Sequence, residues 1–161
     1  MFFTKKDTIT SMCDGTWKPA CELSDPAFAQ QLIGPTLAIS PLSQDAPITI
    51  CAPFDAQVTT VFPTHHAIGL TSKIGVEYIL HLGLDTVELK GEGFEPFVST
   101  GARVRVGEPL VRMDTQLIRE RGYATDVLLI ATNGKPYTFV RTFESAERID
   151  TGEALAQCSK Q

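Results

Sequence analysis

Ten prolines and twelve glycines cut this 161-residue chain into short runs rich in β-branched and aromatic residues. Proline removes a ladder donor and glycine weakens helix and strand interiors, so the punctuation leaves little room for long helices. Runs of roughly four to eight β-prone residues between turn signals imply an all-β sandwich or barrel. Candidate strands are Leu37–Ile39, Ile48–Cys51, Gln57–Phe62, Ala67–Thr71, Val76–Leu82, Arg103–Val106, Leu110–Met113, Val127–Ala131 and Phe139–Thr142. One or two short helices fit beside them. Ala27–Ile33 comes after Asp25-Pro26 and ends at Gly34, and Gln116–Arg121 comes after Asp114-Thr115 and ends at Gly122. The segments "APFDAQVTTVF", "VSTGARVRVGEPLVRMD" and "RIDTGEALAQC" each join a small-residue turn to a short strand and suggest successive hairpins, without the period of a solenoid.

Composition narrows the class. With 43% hydrophobic and 20% charged residues the chain can bury a core without metal or disulfide staples, as one domain. A net charge of −5 with no basic cluster argues against a nucleic-acid partner. The four cysteines (Cys13, Cys21, Cys51, Cys158) show no C-x-x-C spacing and read as free thiols in a reducing compartment. The N-terminus lacks the apolar stretch of a secretory signal, and "VLLIA" is only strand-sized, so a cytoplasmic protein is expected.

Strand Val76–Leu82 carries the chemistry. Val76, Tyr78, Leu80 and Leu82 face one way, and Glu77, Ile79, His81 and Gly83 the other, so His81 points to the mixed face. If Ser72-Lys73-Ile74-Gly75 is a four-residue hairpin loop, Thr71 opposes Val76 and His66 opposes His81. Thr64 then shares the face of His66, and His65 falls on the other face. Opposed residues have Cβ atoms roughly 4.5–5.5 Å apart, close enough for the imidazoles to disfavour each other's charge. A neutral imidazole is a nucleophile or a metal ligand. The alternative is two polar residues on a solvent-facing strand pair.

The run "HLGLDTVELKGEGF", with "VEYIL" before it and "PTHHAIGLTS" upstream, resembles the IIA domain of the glucose-type branch of the bacterial phosphoenolpyruvate-dependent sugar phosphotransferase system. The pattern H-x-G-x-D-T-V-x-L-x-G-x-G-F is specific, and the likeness spans residues 13–157. On that likeness, residues 1–12 are an N-terminal extension and 13–161 a single IIA domain.

The resemblance implies a compact antiparallel β-sandwich working as a phosphohistidine relay. The histidine phosphocarrier protein donates, a cysteine of the IIB domain accepts, and the membrane IIC component is served indirectly. Matched by position, His81 is the phosphoryl acceptor, His66 steadies the phosphate, Thr64 orients His66, and the Gly83 carbonyl holds the other ring nitrogen of His81. Docking of partners maps onto Phe28, Leu32, Ile33 and Phe62, with Asp25 and Asp85 meeting basic residues. Plain core packing explains the helix residues equally well, and Asp85 can be a turn former. No cofactor is implied, and none of the phosphate-cradling glycine motifs occurs.

Three departures from the family pattern stand out. Tyr78 replaces an apolar residue and its phenol requires a partner or a wet edge. Ala56 replaces a glycine in a turn, and His65 replaces the usual asparagine. A zinc peptidase of related architecture needs an aspartate where Leu70 stands, and two histidines alone make a poor catalytic zinc site. A metal shared with a partner, or a binding module regulating permeases or enzymes without phosphotransfer, are the remaining rivals. A lipoyl-type carrier is excluded because "VRVGEPLV" has no lysine at its tip.

Overall fold

The structure is a computed structural model that describes residues 5–143 and 148–161. Along the described residues run β1 (Lys6–Thr10), β2 (Gly15–Lys18), α1 (Pro26–Ala29), β3 (Thr36–Pro41), β4 (Pro47–Cys51), β5 (Ala56–Val61), β6 (Ala67–Ser72) and β7 (Glu77–Leu82). Next come β8 (Phe94–Pro96), β9 (Arg103–Val104), β10 (Pro109–Asp114), α2 (Thr115–Glu120), β11 (Val127–Ala131), β12 (Tyr137–Arg141), β13 (Arg148–Ile149) and β14 (Ala154–Lys160). All described strand pairings are antiparallel. They form a sheet in the order β13-β2-β3-β11-β7-β6-β5-β9 and two smaller sheets, β1-β14-β12 and β4-β10-β8. The all-β antiparallel sandwich expected from the sequence is therefore present.

Inward-facing side chains of the three sheets merge into one core. Ile9 and Leu155 come from one small sheet, Ile50 and Met113 from the other, and Leu70, Leu80 and Leu129 from the large sheet. A second, smaller cluster of Leu23, Ala38, Leu84, Leu128 and Ile130 lies on the opposite face of β3 and β11. That is why "VLLIA" reads as uninterrupted hydrophobicity: all five residues of β11 are buried.

Each expected strand falls on an observed one, but several other expectations change. The helix expected over Ala27–Ile33 spans only Pro26–Ala29, and Gln31 stands in the left-handed region at φ 52°. The second runs Thr115–Glu120, with the Asp114 carboxylate accepting from the Leu117 N–H. The three turn-plus-strand segments are not separate hairpins. β9 pairs with β5 while β10 pairs with β4 and β8, and β13 pairs with β2 while β14 pairs with β1 and β12. Each turn sends its two strands to different sheets.

The segment ahead of Cys13 is more than an extension. Residues 1–4 lie outside the described residues, but β1 pairs with β14, and Ile9 and Met12 are fully buried. Ala56 has no left-handed backbone, so alanine needs no strain there. The Tyr78 phenol is buried against the Phe54 ring (centroids 4.8 Å) without a hydrogen-bond partner among the described residues, as is Asp7 Oδ2. Burial pushes the Asp7 carboxyl above its ordinary range.

Because β1 completes the core, Ile9→Ala is expected to destabilise the protein by about 2–5 kcal/mol, the usual cost of emptying a buried isoleucine site. Urea unfolding monitored by Trp17 fluorescence checks this, and a cost near zero would return β1 to the status of an appendage.

Candidate active site

The two faces of β7 are unequal. Tyr78, Leu80 and Leu82 are buried toward the main core, while Ile79 and His81 are half-buried on the outer face. Opposite His81 on β11 stands Leu128, a member of the second apolar cluster. Phe28 of α1 packs on that cluster and sets its ring 5.0 Å, centroid to centroid, from the His81 imidazole. Strand alternation therefore aims His81 outward and the short helix gives it an aromatic wall.

The pairing of the histidines arises differently from the expected register. The turn between β6 and β7 closes with the Ser72 N–H donating to the Val76 carbonyl, and Gly75 takes φ 93°. A three-residue loop with a left-handed glycine replaces the expected four-residue loop. Thr71 now opposes Glu77, and Ala67, not His66, opposes His81. His66 nevertheless reaches its partner because it lies outside the ladder. The His65 N–H donates to the Phe62 carbonyl at 2.7 Å, closing a turn in which His65 adopts φ 59°. That left-handed residue breaks the alternation, and the His66 ring comes to 5.2 Å from that of His81 at 83°. Histidine, like asparagine, is among the side chains that enter this region more readily than most.

Each ring is anchored through Nδ1. The His81 Nδ1–H donates to the Gly83 carbonyl at 2.7 Å. A carbonyl can only accept, so neutral His81 carries its proton on Nδ1 and keeps a free lone pair on Nε2. His66 Nδ1 shares a 2.6 Å hydrogen bond with the Thr64 hydroxyl. Phe62 adds a T-shaped contact to His66, with centroids 5.7 Å apart.

Gly83 itself is tightly held. At φ 78° it suits glycine, and a Cβ there would lie 2.5 Å from Thr86 Cγ2 and 2.9 Å from the Ala124 carbonyl. Its N–H donates to the Asp126 carbonyl at 2.8 Å, and the Leu84 N–H donates to the Ala124 carbonyl at 3.1 Å. Thr86, fully buried, donates its hydroxyl to the Leu82 carbonyl. Sequence reasoning passed over Thr86, Ala124 and Asp126. The Asp-Thr pair inside the histidine motif was the one available signal.

Burial disfavours the charged form of both imidazoles. Burial, with His81 adding to it, pushes the proton affinity of His66 down from 6.5 to about 4. Burial also lowers that of His81, against the opposing pull of the Gly83 carbonyl, Asp25 and Asp85. Of the expected docking residues, Asp25 caps α1 by accepting from the Ala27 N–H at 2.9 Å, and Asp85 is exposed at φ 60°. Leu32 and Ile33, beyond the end of α1, are 70% and 46% exposed. Among the described residues no three histidine, cysteine or acidic side chains cluster as metal ligands. Among them, too, no helix is long and apolar enough to cross a membrane.

Known proteins resemble this chain over most of its length. The family described as "phosphoenolpyruvate-dependent sugar phosphotransferase system, EIIA 1" matches residues 7–137. A PTS system glucose-specific EIIA component of Mycoplasma capricolum is 38% identical over 145 residues, 89% of this chain and 92% of the relative. Its counterpart in Bacillus cereus is 36% identical over 139 residues, 86% of this chain and 82% of the relative. A glucose-specific EIICBA component of Staphylococcus saprophyticus is 45% identical over 115 residues, 71% of this chain but 16% of that longer protein. In three dimensions, the glucose permease IIA from Mycoplasma capricolum superposes with a TM-score of 0.83 at 34% identity, covering 98% of each chain. Fold and likeness together define an all-β phosphotransferase component of sugar uptake. The chain belongs to the EIIA 1 family of the phosphoenolpyruvate-dependent sugar phosphotransferase system, in its glucose-type branch.

The lowered proton affinity of His66 has a pH signature. Between about pH 6.5 and about pH 4 the unfolded chain binds the extra proton and the folded one does not. The stabilising term is thus complete above pH 6.5 and is lost as the pH falls toward 4. In an NMR titration the His66 ring is expected to stay neutral at pH 5, and His66→Gln should flatten the loss of stability between pH 7 and pH 5.

Proposed function

We propose that His81 accepts a phosphoryl group on Nε2 from the histidine phosphocarrier protein and passes it to a cysteine of a IIB domain. The observation that supports this reading is the pair of facing imidazoles, 5.2 Å apart, each tied through Nδ1. Phosphoryl transfer asks for in-line positioning and charge stabilisation more than for covalent chemistry by the protein. The Nε2 lone pair of His81 attacks phosphorus, the P–N bond of the donor's phosphohistidine breaks, and its electron pair returns to the donor ring. Onward transfer reverses the roles: a thiolate attacks, the P–N bond to His81 breaks, and the pair returns to Nε2. The Nδ1 proton stays in place throughout.

His66 serves the phosphoryl oxygens in this reading. To donate from Nε2–H while neutral, its Nδ1 must accept the Thr64 hydroxyl proton, which the 2.6 Å contact allows. Phe28, Leu32, Ile33 and Phe62 form the apolar docking rim, and Asp25 and Asp85 meet basic partner residues. A transient interface suits a relay that must release each partner. The setting proposed is cytoplasmic, with the membrane IIC component served through IIB.

The test is intact mass after incubation with phosphoenolpyruvate, enzyme I and the histidine phosphocarrier. One acid-labile phosphoryl group is expected on the wild type and none on His81→Ala. His66→Ala is expected to accept the group yet fail to pass it to IIB. No mass gain on the wild type would leave a binding module without relay chemistry.

A further inference from the structure

We infer that Thr86 is a positioning residue for His81: its hydroxyl holds the Leu82 carbonyl and so fixes the aim of the Gly83 carbonyl that selects the imidazole tautomer. The inference rests on His81 being the acceptor. Leu82 joins the two halves of the site. Its N–H donates to the His66 carbonyl at 2.8 Å, as a ladder residue would. Among the described residues the reciprocal bond, from the His66 N–H to the Leu82 carbonyl, is not made. The left-handed turn at His65 takes His66 out of the ladder, and the Thr86 hydroxyl satisfies the carbonyl instead.

That substitution matters because the residue after Leu82 is Gly83. Gly83 has no Cβ to restrict it, so its orientation depends on the hydrogen bonds of the two peptides around it. The first peptide is gripped at both ends, by Thr86 on the Leu82 carbonyl and by the Asp126 carbonyl on the Gly83 N–H. In the second, the Leu84 N–H is held by the Ala124 carbonyl, leaving the Gly83 carbonyl for His81. Three of these four grips come from backbone or from His81 itself. Thr86 supplies the only side-chain grip that a substitution can remove without touching the histidine. Losing it leaves a buried carbonyl unpaired, which drives the peptide to find another donor. The Thr86 methyl packs beneath Gly83, so valine keeps the shape and loses the donor, while serine keeps the donor and loses the methyl.

The experiment pairs nitrogen NMR of labelled histidine in the full chain with the phosphorylation rate of His81. The wild type is expected to show His81 as a single Nδ1–H tautomer. Thr86→Val should populate the other tautomer and slow phosphorylation by about tenfold, whereas Thr86→Ser should stay within about twofold of wild type. A folded Thr86→Val with unchanged tautomer and rate overturns the inference. So does a serine variant that fails as valine does, because packing alone then explains the residue. If valine prevents folding, Thr86→Ser against Thr86→Ala repeats the comparison with the hydroxyl as the difference. A wild type that takes no phosphoryl group while Thr86→Val still shifts the tautomer sinks the acceptor reading and leaves the positioning role standing.

Discussion

An imidazole has two nitrogens of comparable basicity, and a group-transfer site must decide which is left to react. In this chain the 2.7 Å hydrogen bond from His81 Nδ1–H to the Gly83 carbonyl leaves Nε2 as the free nitrogen of that ring. A side-chain acceptor could rotate or titrate, but a carbonyl can do neither once its peptide is pinned. The neighbouring groups contribute to that pinning. β11 runs beside β7, and the segment leading into β11 supplies the Asp126 and Ala124 carbonyls that hold the Gly83 and Leu84 N–H groups. The same β11 presents Leu128 opposite His81, anchoring the outer apolar cluster that carries Phe28. β11 thus anchors the apolar wall beside the ring, and the residues leading into it hold the backbone that orients the ring.

Elsewhere the interior is less fully satisfied. Asp7 Oδ2 and the Tyr78 hydroxyl are both buried without partners among the described residues, on the core side of β7 rather than the histidine side. Their cost is borne by the large core around them, to which Ile9, Leu80 and Leu155 contribute. Around the histidines, by contrast, both Nδ1 atoms, the Leu82 carbonyl and both backbone groups of Gly83 are engaged. Polar satisfaction is concentrated where geometry has to be held.

Much of this was legible in the sequence, for reasons that differ by element. Alternation in "VEYILHL" correctly put His81 on the mixed face, since a period of two survives any error in loop length. Cross-strand register did not survive, because a one-residue change in the turn at Gly75 shifts every pair. The two histidines met anyway through the left-handed backbone of His65, a feature that no alternation rule contains. β1 was missed, and β14 was read only as the short strand of "RIDTGEALAQC", because "KDTIT" and "ALAQCSK" mix small and polar residues and their strand character comes from pairing with each other. The first helix was read too long because the apolar stripe continues through Leu32 and Ile33 past the point where Gln31 turns left-handed. Thr86 was hidden for another reason. Its role is to replace a ladder bond, and that vacancy exists only once the turn at His65 is known.

Two identical side chains acquire unequal chemistry from these placements. His66 feels burial and the neighbouring His81, both acting against its charge, and has no carboxylate among the causes of its shift. His81 is also disfavoured by burial, but the Gly83 carbonyl, Asp25 and Asp85 pull the other way. Environments that push the proton affinities of paired groups apart assign them different tasks. The two acids make positive character on the His81 ring less unfavourable than burial alone would leave it. The His66 ring has no such counter-pull, and its charged form stays disfavoured. Because Asp25 is spent in capping α1 and Asp85 sits in a constrained turn, both charges are fixed near the ring without binding it. A carboxylate in direct contact with His81 would compete with the Gly83 carbonyl for the Nδ1 proton or would occupy the approach to Nε2. Acids that act on the ring through charge, without bonding it, leave both the Gly83 anchor and Nε2 undisturbed.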